Sequence, residues 1–383
     1  GRTAAQCRRG GMKPDVLAVC GDAGGAAAVA PVVELLVREG RVNLRSAVYR
    51  QAAELWSRRG LPHQTLPAGL SDGELSDLAG SAGALLLGTS VNGLDYERRL
   101  GALFPARAVA VLDFWSNYAP RFRSPAGLLA PPEVVCVMDE QARAEMAAEG
   151  FDAARLAITG QPAFDALAGL RQAFGEQERQ ALRAALGVAA GETLVVFASQ
   201  PLAEFYAQPE LRERHPGYDQ GTALRLLIAA LEELAPEIRR NIVLLVRPHP
   251  REEPGSLAWA ARSTGALRVR IDGSGDSRAC LLAADLVCGM TSVILVEACH
   301  LGCLTLSLQP GLVGPDLLPT NRTGLSRLVR AAGEMRGALL DFLCDEPARA
   351  EQRKRLAGLA ADGGASRRVA DMIYWRLNQR KAH

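Results

Sequence analysis

Two strand-to-helix turns in the second half of the chain constrain the fold most. The first turn, Arg247–Pro250, follows Ile242–Val246, a continuous apolar run rich in β-branched residues. Such a run predicts a strand buried on both faces of a parallel sheet, and the two prolines of the turn exclude a helix there. The second turn, Gly289–Ser292, lies between a strand predicted at Ala284–Cys288 and a helix predicted at Val293–Leu301. This repeated pattern is typical of an open α/β sheet.

The polar side chains at these two turns are candidates for a binding site. Ligands bind at the carboxyl edge of a parallel sheet, so we expect His249, Thr291 and Ser292 to meet there. Two hydroxyls at a helix amino terminus suit an anion such as phosphate, and Glu297, one turn into the helix, suits a ribose diol. The alternatives are a structural histidine, N-capping by the two hydroxyls and a surface ion pair for Glu297.

The HP turn, the TS turn, the helix glutamate and a glycine-led strand together resemble the donor half of GT-B glycosyltransferases. The pair of HP and Ser/Thr-Ser turns is most similar to bacterial sialyltransferases, Kdo transferases and CDP-glycerol transferases. The stretch TSVILVEACHLGCLTLSL, residues 291–308, also resembles lipid-A-disaccharide synthase and the UDP-GlcNAc 2-epimerase group, which share the fold. The resemblance identifies a superfamily rather than one activity.

This resemblance implies a GT-B architecture, an α/β fold in which two Rossmann-like domains with parallel sheets face each other across a cleft. A chain of 383 residues fits two domains of ordinary size. We predict an acceptor domain at residues 12–163 and a nucleotide-sugar donor domain at 164–362, which opens with a single helix over Phe164–Leu186. Residues 363–383 are predicted to form a helix that packs back on the first domain.

Further residues of the second domain are predicted to contact the donor nucleotide. Ser199 and Gln200 follow the strand predicted at Thr193–Ala198, where a donor phosphate or the reacting sugar would lie, and a simple turn is the alternative. Arg247 either adds charge against a diphosphate or is only solvated. The neighbours of the TS turn complete the predicted set, with Val293 contributing its backbone amide: Met290 and Val293.

The amino-terminal half begins with a strand, Asp15–Cys20, and a glycine-rich loop, Gly21–Ala26. Such a loop lets the backbone approach a ligand closely, and a tight turn that needs small residues is the alternative. The loop lacks the GxGxxG pattern, and no acidic residue ends the second strand, so a dinucleotide site is disfavoured. The loop resembles the first loop of lipid-A-disaccharide synthase, which implies a position at the cleft for Gly24 and Gly25.

Two more polar loops follow predicted strands of the first half. One carries Thr89 and Ser90, and the other, Asp113–Tyr118, carries Trp115 and Asn117. Aromatic rings beside hydroxyl and amide groups suit a sugar or another flat acceptor. A hydrophobic plug beneath the loop is the alternative. We therefore predict that these four residues line the acceptor side of the cleft.

Two carboxylates are candidates for the base that takes the acceptor proton. Asp22, the ionisable group of the glycine-rich loop, is the first candidate, and an N-cap or turn role is its alternative. Asp113 is the second candidate. With His249, which would lie close to the donor phosphate, these residues form the predicted catalytic set.

These features predict a metal-independent, inverting glycosyltransferase that moves a sugar from a nucleotide-activated donor to an acceptor hydroxyl. The donor is CMP-, CDP- or UDP-linked, and the acceptor is a glycan, a lipid-linked molecule or a small molecule. We expect no metal and no cofactor, because a helix dipole and side chains stabilise the leaving nucleotide and no DxD-like cluster ends a strand.

Three alternatives stay open. They are a nucleotide-sugar epimerase or hydrolase of the UDP-GlcNAc 2-epimerase type, a CDP-glycerol-type phosphotransferase and a non-catalytic nucleotide-sugar-binding module. For the epimerase, the sequence alone does not identify a matching set of acidic residues.

Composition limits the binding partners and the cellular compartment that we expect. A net charge of +2 gives no general case for nucleic-acid binding. No apolar stretch reaches ~18 residues, so no transmembrane segment is expected, and the amino terminus does not resemble a signal peptide. The 8 cysteines lack CxxC spacing, which favours buried thiols in a reducing compartment. We therefore expect a cytoplasmic protein, and a homo-oligomer is compatible with this prediction.

Overall fold

The structure is a computed structural model that describes residues 13–90, 94–124, 126–209, 211–262, 265–359 and 362–379. Its strands are β1 Asp15–Cys20, β2 Asn43–Val48, β3 Gln64–Thr65, β4 Ala84–Leu87, β5 Ala108–Val111, β6 Val134–Val137, β7 Leu156–Ile158, β8 Thr193–Ala198, β9 Ile242–Arg247, β10 Arg268–Ile271, β11 Leu286–Gly289, β12 Thr305–Leu308 and β13 Arg327–Val329.

The first seven α-helices in the chain are α1 Ala23–Glu39, α2 Gln51–Arg58, α3 Asp72–Ala79, α4 Tyr96–Leu103, α5 Tyr118–Phe122, α6 Glu140–Ala148 and α7 Asp165–Ala173. They are followed by α8 Glu176–Ala185, α9 Leu202–Tyr206, α10 Gln220–Glu232, α11 Pro236–Arg239, α12 Trp259–Arg262, α13 Ser277–Ala283, α14 Val293–His300, α15 Pro319–Arg322, α16 Ala332–Leu343, α17 Glu346–Ala357 and α18 Ala365–Gln379. Short 3-10 helices lie at Ala153–Arg155, Pro162–Phe164 and Arg212–Arg214.

The chain divides into two compact units. The first comprises residues up to Asp165 and those from Asp362 onward. Its seven strands are all parallel, in the order β3-β2-β1-β4-β5-β6-β7. The order reverses between β1 and β4, which is where a ligand-binding crevice forms in open sheets of this kind.

The second unit, Ala166–Ala361, repeats this topology. Its six parallel strands have the order β10-β9-β8-β11-β12-β13, so the reversal lies between β8 and β11. The side chains of β8 and β9 are almost entirely buried. Their continuous apolar runs therefore fit a sheet covered by helices on both faces.

Local sequence explains where the first helix begins and ends. The Asp22 carboxylate accepts a hydrogen bond from the Gly25 amide at 2.8 Å and caps α1. At the other end Gly40 adopts φ 61°, and its amide donates to the Leu36 carbonyl. This left-handed conformation is one that glycine adopts without steric cost.

The final helix, α18, packs within the first unit against α1, β4 and β5. Val369, Ile373 and Leu377 are buried in the same apolar cluster as α1. The spacing of four residues places these side chains on one helix face. Arg367 and Tyr374 bind the Glu39 carboxylate at the end of α1.

The prediction of a single helix over Phe164–Leu186 is wrong. The structure has two helices there, α7 and α8, interrupted at Phe174 and Gly175. Gly175 is extended, with φ −89° and ψ −179°, and its amide donates to the Glu178 carboxylate at 3.0 Å. That glutamate closes the first turn of α8 and so starts a new helix.

No helix in the described ranges combines the length and apolarity that crossing a bilayer requires.

Candidate functional site

The reversal point of the second sheet brings together residues that the sequence predicts to bind the donor. Gln200 follows β8, and Thr291 follows β11. The Gln200 side-chain oxygen accepts from both the amide and the hydroxyl of Thr291, each at 3.3 Å. The predicted neighbours are therefore in contact at the carboxyl edge of this sheet.

The two hydroxyls of the TS turn have different surroundings. Thr291 also bonds Tyr218, a buried tyrosine of the loop before α10, and burial raises the pKa of Tyr218. Ser292 is half-buried and caps α14 by accepting from the Ile294 amide at 3.4 Å. Val293 is 44% exposed. The Thr291 hydroxyl is thus held by the protein, and Ser292 with the start of α14 is the accessible part of the turn.

The HP turn places His249 at the same edge, after β9. The His249 Nδ1 atom accepts from the Arg251 amide at 3.1 Å. A backbone amide can only donate, so a neutral His249 carries its proton on Nε2. Partial burial lowers the pKa of His249, and the Arg251 charge lowers it further, which favours the neutral ring at pH 7.

Glu252 is a residue of this region that the sequence prediction missed. Its carboxylate accepts from the Ser199 hydroxyl and from the His249 amide, both at 2.6 Å. Ser199 and Glu252 are both buried, and burial raises the pKa of Glu252. The Ser199 hydroxyl therefore bonds within the protein, and contact of this strand end with a donor stays a prediction. The only sequence signal for Glu252 is its place three residues after His249.

Arg247 is also committed to internal contacts. Its guanidinium donates to the carbonyls of Ser274 and Gly275, each at 2.7 Å. These bonds hold the loop that follows β10 against the end of β9. Arg247 therefore supports this loop, and its role as a charge opposite a diphosphate stays a prediction.

Glu297 forms an ion pair with Arg278, whose Nη2 atom lies 2.7 Å from the carboxylate. The pair fixes the direction of the Glu297 side chain, which is 14% exposed. A surface ion pair was the alternative for Glu297, and the structure shows this pairing in a partly buried position. Contact with a ribose stays a prediction.

Met290 lies at the start of the TS turn and is buried. Its side chain is fully buried in the core of the second unit, and its carbonyl accepts from the Ser307 hydroxyl at 2.7 Å. The Met290 side chain is therefore part of the core, and a contact of its backbone with a nucleotide stays a prediction. Its apolar packing instead anchors the start of the TS turn.

In the first unit, the glycine-rich loop lies beside Asp113. A Cβ atom at Gly24 would stand only 2.1 Å from the Asp113 Oδ2 atom, and one at Gly25 would stand 3.6 Å from the Ser90 hydroxyl. The small residues of the loop thus allow the ends of β1, β4 and β5 to approach one another. Asp22 combines its capping role with a half-buried position in this loop.

Glu97, at the start of α4, is a second residue that the sequence prediction missed. Its buried carboxylate accepts from the Gly21 amide at 2.9 Å, from the Ser90 hydroxyl at 2.6 Å and from the Tyr49 hydroxyl. The Ser90 oxygen accepts in turn from the Asp22 amide at 3.0 Å. Burial raises the pKa of Glu97. Because these donors belong to distant segments, no local motif indicates the cluster.

Asp113 is paired with Arg121 of α5, and both side chains are largely buried. Burial raises the pKa of Asp113, while the Arg121 charge opposes this shift and the Asp22 charge adds to it. Thr89 donates to Asp113 at 3.3 Å and to the Val111 carbonyl at 3.2 Å. Thr89 and Ser90 are thus buried, with their hydroxyls bonded inside the protein, and their contact with an acceptor stays a prediction.

Trp115 is likewise buried rather than open to an acceptor. Its ring stacks on Phe164 with centroids 6.4 Å apart, and its Nε1 atom donates to Asp139 at 2.7 Å. Trp115 therefore packs as a hydrophobic plug beneath the loop, which was the alternative interpretation. Asn117 is exposed, with φ 55°. Gln161 supports the loop by donating to the Asp113 carbonyl at 2.8 Å.

A cavity of about 570 Å³ lies at the opposite, amino edge of the second sheet. Arginines line it, and they are held in ion pairs, with Arg179 and Arg183 bonding Asp285 and with Arg349 bonding Glu346. We therefore place the candidate site at the carboxyl edge, where Ser292 and His249 are partly exposed. Among the residues with described positions, no three His, Cys, Asp or Glu side chains are grouped to hold a metal ion.

Neither a family model nor a curated protein matches the chain. Solved structures match nearly its full length. UDP-GlcNAc 2-epimerase from Neisseria meningitidis, bound to UDP-GlcNAc, has a TM-score of 0.66 and 14% identity over 94% of this chain and 99% of that one. The glycotransferase of kitacinnamycin has a TM-score of 0.61 and 15% identity over 95% and 99%. HepE from Anabaena, in complex with UDP and glucose, has a TM-score of 0.60 and 17% identity over 96% and 100%. At these identities the similarity establishes the fold and carries no activity over.

Proposed function

We propose that this chain, which has the GT-B fold with two Rossmann-like units, is a glycosyltransferase that moves a sugar from a nucleotide-activated donor to an acceptor hydroxyl. The observation that carries the proposal is that Ser292 with the start of α14, after β11, and His249, after β9, both lie partly exposed at the carboxyl edge of the second sheet. Two of the similar structures hold UDP-GlcNAc or UDP with glucose, which supports a nucleotide-sugar ligand for this site.

The donor phosphate would rest against Ser292 and the amino terminus of α14. Amide groups and the helix dipole at this end stabilise negative charge. His249 would donate from Nε2 to a phosphate oxygen, and Glu297, oriented by Arg278, would bind the ribose. Charge grows on the leaving nucleotide as the sugar departs, so donors fixed in place lower the barrier.

Asp22 would take the proton from the acceptor hydroxyl. Its half-buried carboxylate uses one oxygen to cap α1, and the other oxygen can accept the proton. Asp113 stays the second candidate, since Arg121 and Thr89 hold its Oδ1 atom. We propose that the reaction needs no metal; full turnover in excess EDTA supports this, and loss that added Mg²⁺ restores contradicts it.

Calorimetry with CMP, CDP, UDP, GDP and dTDP tests the donor site. We expect one nucleotide to bind at micromolar strength and to bind at least tenfold more weakly, ~1.4 kcal/mol, to the His249→Ala variant. His215→Ala is the matched control, because His215 is an exposed loop histidine of the same unit. If no nucleotide binds, or if both variants bind like the wild type, the proposal is wrong.

A nucleotide-sugar epimerase is the second candidate function. Two carboxylates, Asp22 and Asp113, lie in and beside the glycine-rich loop at the carboxyl edge of the first sheet, and similar structures include a UDP-GlcNAc 2-epimerase. Inverting a carbon centre requires groups that remove and return a proton, which acidic side chains can provide. Incubation with UDP-GlcNAc in D₂O, followed by proton NMR, separates the candidates. Deuterium at C2 without an acceptor supports the epimerase, and transfer only with an acceptor supports the glycosyltransferase.

A further inference from the structure

One buried carboxylate joins two loops of the candidate donor site. Glu252 is 7% exposed, and its two oxygens accept from the Ser199 hydroxyl and the His249 amide, each at 2.6 Å. Ser199 follows β8, and His249 follows the neighbouring strand β9. Burying a carboxylate is costly unless such hydrogen bonds compensate it. Glu252 therefore ties the turn that carries His249 to the residue that follows β8.

The same turn also fixes the imidazole of His249. The Glu252 amide donates to the His249 carbonyl at 2.9 Å, which closes the turn. Within that turn the Arg251 amide reaches the Nδ1 atom of His249 at 3.1 Å. This contact requires a lone pair on Nδ1, so the ring proton of the neutral side chain lies on Nε2. The tautomer of His249 thus depends on the conformation of the turn, which the Glu252 carboxylate stabilises.

We propose that Glu252 is a positioning residue that presents His249 as a neutral Nε2–H donor to an anionic oxygen of the ligand. Only the identity of the ligand rests on the proposed function. The role requires an acceptor oxygen for the His249 amide, and it does not require a negative charge. A glutamine at position 252 supplies that oxygen, while its amide group can donate to the Ser199 hydroxyl.

Nitrogen NMR of protein labelled with ¹⁵N-histidine reads the tautomer directly. The chain has 5 histidines, and His249→Ala identifies the His249 signals by their loss. We expect the wild type to show an unprotonated Nδ1 and a protonated Nε2 at neutral pH. Glu252→Ala should give a mixture of tautomers, whereas Glu252→Gln should keep the single tautomer. Glu253→Ala is the matched control, because Glu253 is the exposed neighbour of the same type.

Nucleotide affinity provides the second readout, with UDP as the probe. We expect binding about tenfold weaker in Glu252→Ala and near wild-type binding in Glu252→Gln and Glu253→Ala. A single, unchanged tautomer in folded Glu252→Ala overturns the inference, whatever the affinity. If the wild type binds no UDP, the tautomer result still decides the role of Glu252, and the proposed function fails separately if the other nucleotides also do not bind.

Ser199→Ala keeps the inference testable if Glu252→Ala does not fold. This variant removes one of the two anchors of the carboxylate and leaves the other in place. We expect a partial mixture of tautomers at His249 and a smaller loss of UDP affinity. A folded Ser199→Ala protein with the wild-type His249 spectrum would then count against the positioning role.

Discussion

At the scale of single residues, one side chain of the glycine-rich loop combines structural and chemical roles. Asp22 caps α1 through the Gly25 amide and is also the proposed base. Asparagine caps a helix about as well as aspartate, but it cannot take a proton. Exchanging the carboxylate for an amide therefore separates the two roles.

We predict that Asp22→Asn lowers turnover about 10²- to 10⁴-fold, the usual contribution of a general base, and leaves the melting temperature unchanged. Turnover is measured as nucleotide released from the donor in the presence of an acceptor. Asp77→Asn, at an exposed position of α3, is the control. If Asp22→Asn keeps wild-type turnover, a group other than Asp22 is the base.

Asp113→Asn should instead destabilise the protein, because it leaves Arg121 buried without its ion-pair partner. Breaking one side of a buried pair costs about 3–5 kcal/mol. Urea denaturation measures this loss. Unchanged stability in Asp113→Asn would show that the pair adds little to the fold of the first unit.

Sequence reasoning located turn residues better than it located their partners. His249, Thr291 and Ser292 lie at strand ends, and the order of elements alone places strand ends at one edge. Glu97 and Arg121 could not be found this way, since their partners Tyr49 and Thr89 are 48 and 32 positions away. Nor could the pattern show that Trp115 is buried, because aromatic residues suit both a core and a binding surface.

At the scale of secondary structure, α18 depends on packing more than on its own sequence. It is rich in charged residues, and three apolar side chains on one face bury it against α1. Each such side chain contributes about 1.5–3 kcal/mol when fully buried. The resemblance to GT-B proteins predicted a helix that packs here, and the structure adds the three buried side chains that hold it.

We predict that Ile373→Ala destabilises the protein by about 2–5 kcal/mol through lost burial and the cavity it leaves. Asn378→Ala, on the exposed face of the same helix, should change the free energy of unfolding by no more than about 0.5 kcal/mol. Urea denaturation followed by circular dichroism compares the two variants. Equal effects would mean that α18 does not share the core of the first unit.

The break at Phe174 and Gly175 in the predicted helix is a feature that the local sequence pattern does not predict. Charged and alanine-rich sequence on both sides favours helix, and one glycine costs a helix only about 1 kcal/mol. The restart of the helix depends on the bond between Glu178 and the Gly175 amide. Sequence propensity alone does not decide between a tolerated glycine and a new helix start.

At the scale of the whole molecule, the predicted fold class is confirmed. Two parallel sheets each have one reversal point, and solved GT-B structures match nearly the entire chain. The fold class could be predicted because alternating strands and helices are typical of parallel sheets and because the HP and TS turns resemble those of GT-B enzymes. The activity could not, because one fold hosts different reactions and the acceptor contacts depend on exposed side chains.

The pH dependence of global stability provides a test at Asp362, where the chain re-enters the first unit. Arg368 lowers the pKa of Asp362 to about 2, against about 3.9 in an unfolded chain. The stabilisation is therefore present above pH 4 and is lost as the pH falls towards 2. Because the Asp362 side chain is 64% exposed, we expect at most about 1 kcal/mol.

Asp362→Asn should thus lower the free energy of unfolding at pH 6, and the difference from the wild type should shrink towards pH 2.5. Denaturation by urea across this range measures the effect. The exposed Asp77→Asn variant controls for the loss of one negative charge. A difference that grows at low pH would contradict the pairing with Arg368.

The contacts of Asp165 bear on how a chain of this kind can evolve. Its carboxylate accepts from the amides of Ala365 and Ser366 at 2.9 and 2.7 Å, so the point where the chain leaves the first unit touches the point where it returns. The second unit is, in effect, an insertion whose two junctions are neighbours. A segment joined in this way can be exchanged for another with similarly spaced ends while the core of its host stays intact. Under the proposed function, donor preference would be inherited as a module, separately from the half that would select the acceptor.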